Sequence, residues 1–284
     1  LDTSNILYVD GGLLDYDPPP MGCQFVTQVN DTFWFATERK VVHSIKGSPG
    51  ACPEEYTETV DQKIRGIGSI LSFPILFCER SIYRIDGVFD EFGDGGYELR
   101  EIHTTAGCIS NRSITKIPGG LVWAGNNSFY FTDGYNVRDI SDGLKFKTYP
   151  TWKSGTICGA YDSRRNIVVF TVASAVTSTN FGPNDTFAVL HLDHGLQQQS
   201  TFTTWTSKNN IFPTCLAFSE SEDISTTYRN KLLIGEVFGY HFYQDEKIYT
   251  DPKIDNAAAI TGWKKLAIQY RWEGVGLDLG NDGV

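Results

Sequence analysis

Apolar residues in this chain fall in short runs divided by Gly, Asn, Asp and Pro. The densest case is GGLVWAGNNSFYFTDGYNVRDIS, Gly119 to Ser141, where Gly-Asn-Asn and Asp-Gly separate three apolar and aromatic segments. Gly and Asn accept the positive φ of tight turns, so this stretch predicts a β-meander with almost no loop. CQFVTQVNDTFWFATERKVVHSI, Cys23 to Ile45, turns at Asn30-Asp31 into the aromatic strand TFWFAT. SILSFPILFCERSIYRIDG, Ser69 to Gly87, predicts a hairpin about Glu79-Arg80. Pro74 within it marks a bulge or a strand start, because proline brings no N–H to a ladder. YELREIHTT alternates Leu99 and Ile102 with Arg100 and Glu101, the pattern of a half-buried strand.

The second half repeats the scheme. GAYDSRRNIVVFTVAS sets a polar turn between two apolar runs, DTFAVLHLDHG reads as a buried strand, and FTTWTS, TCLAFSES and NKLLIGEVFGYHFYQDEKIYTD extend the meander with a turn near Glu236 to Gly239. ILYVDGGLLDYD predicts a hairpin at Gly11-Gly12, ended by Pro18-Pro19-Pro20, and Tyr270 to Leu279 predicts one more strand. Lys46 to Asp61 reads as a long polar connection and VFDEFGDGG as a loop. Only Asn256 to Ile260 has a helical flavour, and it is too short to stand alone. Evenly spaced hairpins with no crossover helix predict an all-β chain, a β-propeller of about five or six short antiparallel blades. A β-sandwich is the alternative and requires fewer, longer strands with Greek-key returns. The expected division is a propeller-like domain over residues 1–250 and the start of an adjoining strand-containing segment over 251–284, within a longer protein.

Composition narrows the function. The 284 residues carry a net charge of −10 with 13% aromatics. An acidic surface disfavours binding through phosphate neutralisation. No apolar stretch approaches the about 20 residues of a membrane-spanning helix. Cys23, Cys52, Cys78, Cys108, Cys158 and Cys215 form no C-x-x-C pair and match no zinc spacing, which predicts buried reduced thiols. The rival is a secreted disulfide framework, favoured slightly by sequons at Asn30, Asn111, Asn126 and Asn184.

Candidate chemistry is sparse. Asp10, Asp133 and Asp142 each precede Gly and are explained by turns. Asp90, Asp94, Gly95 and Glu101 partly match a calcium loop, but Phe92 stands where an oxygen ligand is required. His191 and His194 bracket a Leu-Asp pair without a third metal ligand. There is no G-x-S-x-G elbow and no phosphate-binding Walker loop. Gly274-Val275-Gly276 begins a dinucleotide fingerprint that fails at Leu279. Trp34, Tyr83, Trp123, Phe129 and Tyr135 suit a sugar platform, yet their strand spacing predicts core. No catalytic residue, metal ligand or cofactor site is assigned, and no enzyme activity is expected. A secreted carbohydrate-binding propeller is the second functional reading. A propeller glycoside hydrolase is the third and needs a facing carboxylate pair.

The order of segments resembles the β-propeller of tailed-phage tail nozzle proteins, the tail tubular protein B group. The likeness rests on DPPPMGCQF, FWFAT, VVHSIKGSPGACPEEY, ILFCERSIYRIDG, GCISNRSI, the meander from Gly119 to Ser141, GAYDSRRNIVVF, AVLHLD and FTTWT, in that order. It implies a virion structural protein in the tail, assembled in the host cytoplasm. It implies a ring, typically of about six copies, contacting adaptor and fibre proteins. Genome DNA would pass through without specific binding, and this segment would not insert into a membrane. Lys46 to Asp61 and Val176 to Asp185 are then the candidate subunit or fibre contacts. An acidic lumen would repel the passing phosphates.

Overall fold

The computed structural model describes residues 18–87, 96–126, 128–141, 157–173, 184, 186–192, 201–206, 213–219, 231–236, 241–243 and 264–266. Their strands form five sheets of four strands, each sheet in chain order. The first blade holds β1 (Phe25–Val29), β2 (Thr32–Ala36), β3 (Lys40–His43) and β4 (Thr57–Thr59). The second holds β5 (Ile64–Ile70), β6 (Phe73–Cys78), β7 (Ile82–Gly87) and β8 (Tyr97–His103). The third holds β9 (Thr115–Ile117), β10 (Gly120–Ala124), β11 (Phe129–Thr132) and β12 (Val137–Asp139). The fourth holds β13 (Gly159–Asp162), β14 (Ile167–Val172), β15 (Thr186–His191) and β16 (Thr201–Thr206). The fifth holds β17 (Pro213–Ser219), β18 (Lys231–Glu236), β19 (His241–Tyr243) and β20 (Lys264–Leu266).

The first strand of each sheet meets the first strand of the next: β1 with β5, β5 with β9, β9 with β13, and β13 with β17. The other strands follow outward one by one. First strands gathered side by side, with meanders radiating from them, define a β-propeller. A sandwich would merge these strands into two sheets, so that alternative is set aside. β20 adds its strand to a sheet begun before residue 250.

Period-two alternation explains the stacking. In β6, Leu76 and Cys78 pack with Trp34 and Ala36 of the first blade, while Ile75 and Phe77 pack with Leu121 and Trp123 of the third. In β14, Val168 and Phe170 pack toward Val122 and Phe129, while Ile167 and Val169 pack toward Leu232 and Ile234 of the fifth. Inner blades are thus apolar on both faces, which is why ILFC and IVVF read as unbroken apolar runs.

Several expectations are corrected. The connection Lys46 to Asp61 contains a one-turn 3-10 helix, Glu54–Tyr56, and the outer strand β4. Its sequence Thr-Glu-Thr is polar because an outermost strand needs little burial. The second blade begins at Ile64 rather than Ser69, since Gly66 and Gly68 dilute the apolar signal of β5. A Cβ on Gly66 would lie 2.5 Å from both Asn111 Oδ1 and Ile114 Cδ1 of the third blade's lead-in. Of the two readings of Pro74 the strand start holds and the bulge does not: it is the second residue of β6, one position beyond the last β7 partner, Ile75↔Arg84, so its missing N–H costs that ladder nothing. The hairpin at Gly11-Gly12, the loop VFDEFGDGG save Gly96, the turn Glu236 to Gly239 save Glu236, Asn256 to Ile260 and Tyr270 to Leu279 lie outside the described residues.

Candidate functional site

The turn between β11 and β12 is built by its own sequence. Asp133 Oδ1 accepts the N–H groups of Tyr135 and Asn136 at 2.8 and 2.7 Å. Gly134 takes φ +91°, a region favouring glycine, and its N–H donates to Thr132 Oγ1. Burial works against the Asp133 carboxylate, but the Asn136 and Tyr135 N–H groups outweigh it and hold the carboxyl below its usual range. This turn delivers Tyr135 over Arg84 of the second blade.

Arg84 is buried and fully engaged. Its Nε and Nη2 donate to the two Asp86 oxygens at 2.5 and 2.7 Å, and Nη1 donates to the Gly134 carbonyl at 3.0 Å. The guanidinium lies 4.9 Å from the Phe73 ring centre and 4.3 Å from that of Tyr135. Hydrogen bonding to Asp86 raises its pKa further, so it stays charged. Exposed Tyr135 and Leu71 lie in the turns beside this cluster. The arrangement clamps the second blade to the third and shows an aromatic, apolar surface.

A second cluster sits between the first and second blades. His43 packs against Trp34, Tyr56 and Tyr97, with ring centres 4.8, 4.2 and 4.1 Å away. Its Nδ1 lies 3.0 Å from the Ser44 carbonyl, which can only accept, so Nδ1 carries the proton. Burial pulls its pKa down to about 4.

The sequence candidates resolve as follows. Trp34, Trp123 and Phe129 are core, and Tyr83 packs half-buried on it, as their spacing predicts. Tyr135 is the correction, 57% exposed. His191 ends β15; His194, Asp10, Asp90, Asp94, Gly95, Asp142 and the Gly274 motif lie outside the described residues, and Glu101 is an exposed residue of β8. Among the described residues no group of three His, Cys, Asp or Glu could hold a metal. Nor is any described helix long and apolar enough to cross a membrane.

No disulfide joins the cysteines, and four of the six are buried. Cys23 and Cys215 are exposed, against the expectation of burial for all. Burial pushes the thiols of Cys52, Cys78 and Cys108 up to about 11, 12 and 12. They remain protonated and pack as small apolar groups. Two of the sequon asparagines bond within the fold: Asn126 Nδ2 donates to the Glu79 carbonyl at 2.8 Å, and buried Asn184 Nδ2 to Thr171 Oγ1 at 3.0 Å.

Sequence reasoning missed His43 and Arg84, and also a set of hydroxyl pegs. Ser44, Ser113, Ser141 and Thr171 accept the backbone N–H groups of Phe33, Ala124, Phe129 and Cys158 at 2.9 to 3.0 Å. A Ser or Thr beside a strand end was the available signal.

No family model matches the chain. No curated protein matches it either. Among solved structures, Hsv2 of Kluyvelomyces marxianus is similar at 12% identity and TM-score 0.47, over 85% of this chain and 64% of that one. PorZ of Porphyromonas gingivalis, described as a surface component of the type-IX secretion system, is 8% identical at TM-score 0.48 over 82% of this chain and 28% of its own. BamB of Moraxella catarrhalis is 9% identical at TM-score 0.43 over 78% and 57%. This chain therefore spans less than two thirds of each of these proteins. Likeness at this level brings no functional residue across.

Proposed function

We propose that the protein is a structural component of a phage tail, one subunit of a nozzle-like ring around the DNA exit channel. The observation that carries this reading is the placement of the tail-nozzle-like segments. FWFAT spans most of β2, ILFCERSIYRIDG is the β6–β7 hairpin, the meander from Gly119 to Ser141 holds β10 to β12, and GAYDSRRNIVVF is the β13–β14 hairpin. The four segments thus fall on strands and hairpins of four successive blades, in chain order. The polar groups of Asp133, Asp162, Arg84 and the hydroxyl pegs are occupied in turns and seams, which suits a rigid scaffold. A net charge of −10 suits a surface past which DNA slides.

Contacts with a neighbouring subunit or a fibre are assigned to Lys46 to Asp61, where Glu54 and Glu55 stand exposed on their one-turn helix. Of Val176 to Asp185 only Asn184 lies among the described residues. The test is imaging of the assembled protein and of particles carrying it. A closed ring at the lower end of a tail, weakened by Glu54→Lys with Glu55→Lys while the domain stays folded, is the expected result. A monomer absent from particles overturns the proposal.

A further inference from the structure

His43 is the guest in an aromatic box whose walls come from both sides of one blade seam. It is 2% exposed. Trp34 comes from β2 and Tyr56 from the 3-10 turn before β4, both in the first blade, while Tyr97 opens β8 of the second. Tyr56 lies nearly parallel to the imidazole at 16°, Tyr97 meets it edge-on at 66°, and Trp34 meets Tyr97 edge-on at 4.9 Å. With Nδ1 committed to the Ser44 carbonyl, Nε2 holds the lone pair, and it has no hydrogen-bond partner. Among the described residues, the titratable side chains whose rings pack on it are Tyr56 and Tyr97. Burial and the Ser44 carbonyl are the influences on its proton affinity, and no charged side chain is among them.

We propose that His43 is an acid-sensitive latch on the seam between the first two blades. Protonation of Nε2 places a cation in a closed aromatic box with no acceptor for the new N–H, and the box must open to let water reach it. Attraction of the imidazolium to the ring faces offsets part of the lost hydration, not all of it, because the new N–H still has no partner. The sign follows from proton linkage. The folded state holds His43 neutral to about pH 4, whereas the unfolded chain protonates it near 6.5. Below that higher value the open state binds more protons, so the seam's stability is complete above it and falls as pH drops. This reading does not depend on the phage assignment.

The test is amide hydrogen exchange of the whole protein from pH 7.5 to 4.5, with NMR of the His43 ring and the Trp34 indole. Amides of β2, β3 and β8 should lose protection, corrected for intrinsic rate, by roughly tenfold per pH unit below about 6. Amides of β14 and β15 should not follow. In His43→Phe the slope at β2, β3 and β8 should vanish; persistence of the wild-type slope overturns the proposal. Should that variant not fold, the wild-type ring decides alone. A His43 signal that titrates near the ordinary histidine value with no change at Trp34 overturns it equally.

Discussion

The seams on the two sides of the second blade bury polar chemistry in opposite ways. Between the first and second blades, His43 is enclosed by aromatic rings with one ring nitrogen bonded and the other without a partner. Between the second and third, Arg84 has both oxygens of the Asp86 carboxylate, a backbone carbonyl and two ring faces, so its charge is balanced. Trp123 Nε1 in that second seam also lacks an acceptor, but an indole does not titrate. His43 combines a titratable ring with a missing partner, whereas the charge in the second seam is balanced. The first seam should respond to acid, and the second should hold through the same range.

The largest effect tests how closely the second seam is drawn together. A Cβ on Gly107 would lie within 1.9 Å of the Glu79 carbonyl oxygen, backbone against backbone. Neither side can swing away, so Gly107→Ala should cost more than about 3 kcal/mol, read from the denaturant midpoint. Gly66→Ala meets only side-chain ends and should cost clearly less. Equal costs would mean that the blade backbones separate easily there.

Next is the ion pair itself. Arg84→Met leaves the Asp86 carboxylate and the Gly134 carbonyl without their partner. The expected loss is about 3 kcal/mol, toward the low end for buried pairs, because the Asp86 side chain keeps 25% exposure. Adding Asp86→Leu should restore much of it, since the penalty lies in the stranded charge. Failure of the double variant to recover would show that the guanidinium's ring contacts carry the seam. Tyr135→Ala measures those contacts directly and should cost about 1 kcal/mol, the range of a partly exposed cation–π pair.

The contrast between seams was only half legible in the sequence. The third blade could be read because Gly-Asn-Asn and Asp-Gly fix its turns locally, and Asp133 needs only its next neighbours to do so. β15 could be read because a strand buried on both faces is written as an unbroken apolar run. β4 and β5 were hidden by position: β4 is an outer strand and stays polar, and β5 carries Gly66 and Gly68 where Asn111, Ile114 and Leu121 press on it. His43 and Arg84 carried no signal, because Tyr97 reaches one and Gly134 the other from a different blade. Tyr135 looked like core because alternation alone does not say which residue tops a turn.

The smallest prediction concerns the tip that flanks the Arg84 seam. Leu71 and Ser72 form the two-residue turn closing Ile70↔Phe73, and Leu71 holds φ +52° with 80% of its surface exposed. A leucine there bears the left-handed strain without the burial that could offset it. Asparagine tolerates that conformation, so Leu71→Asn should raise stability by about 0.5 kcal/mol. Melting should rise by about 1–2 °C for a chain of this size. A fall instead would mean that Leu71 covers the Phe73 and Tyr135 rings in solution. The second seam would then owe part of its resistance to an apolar lid, rather than to its complement of hydrogen bonds.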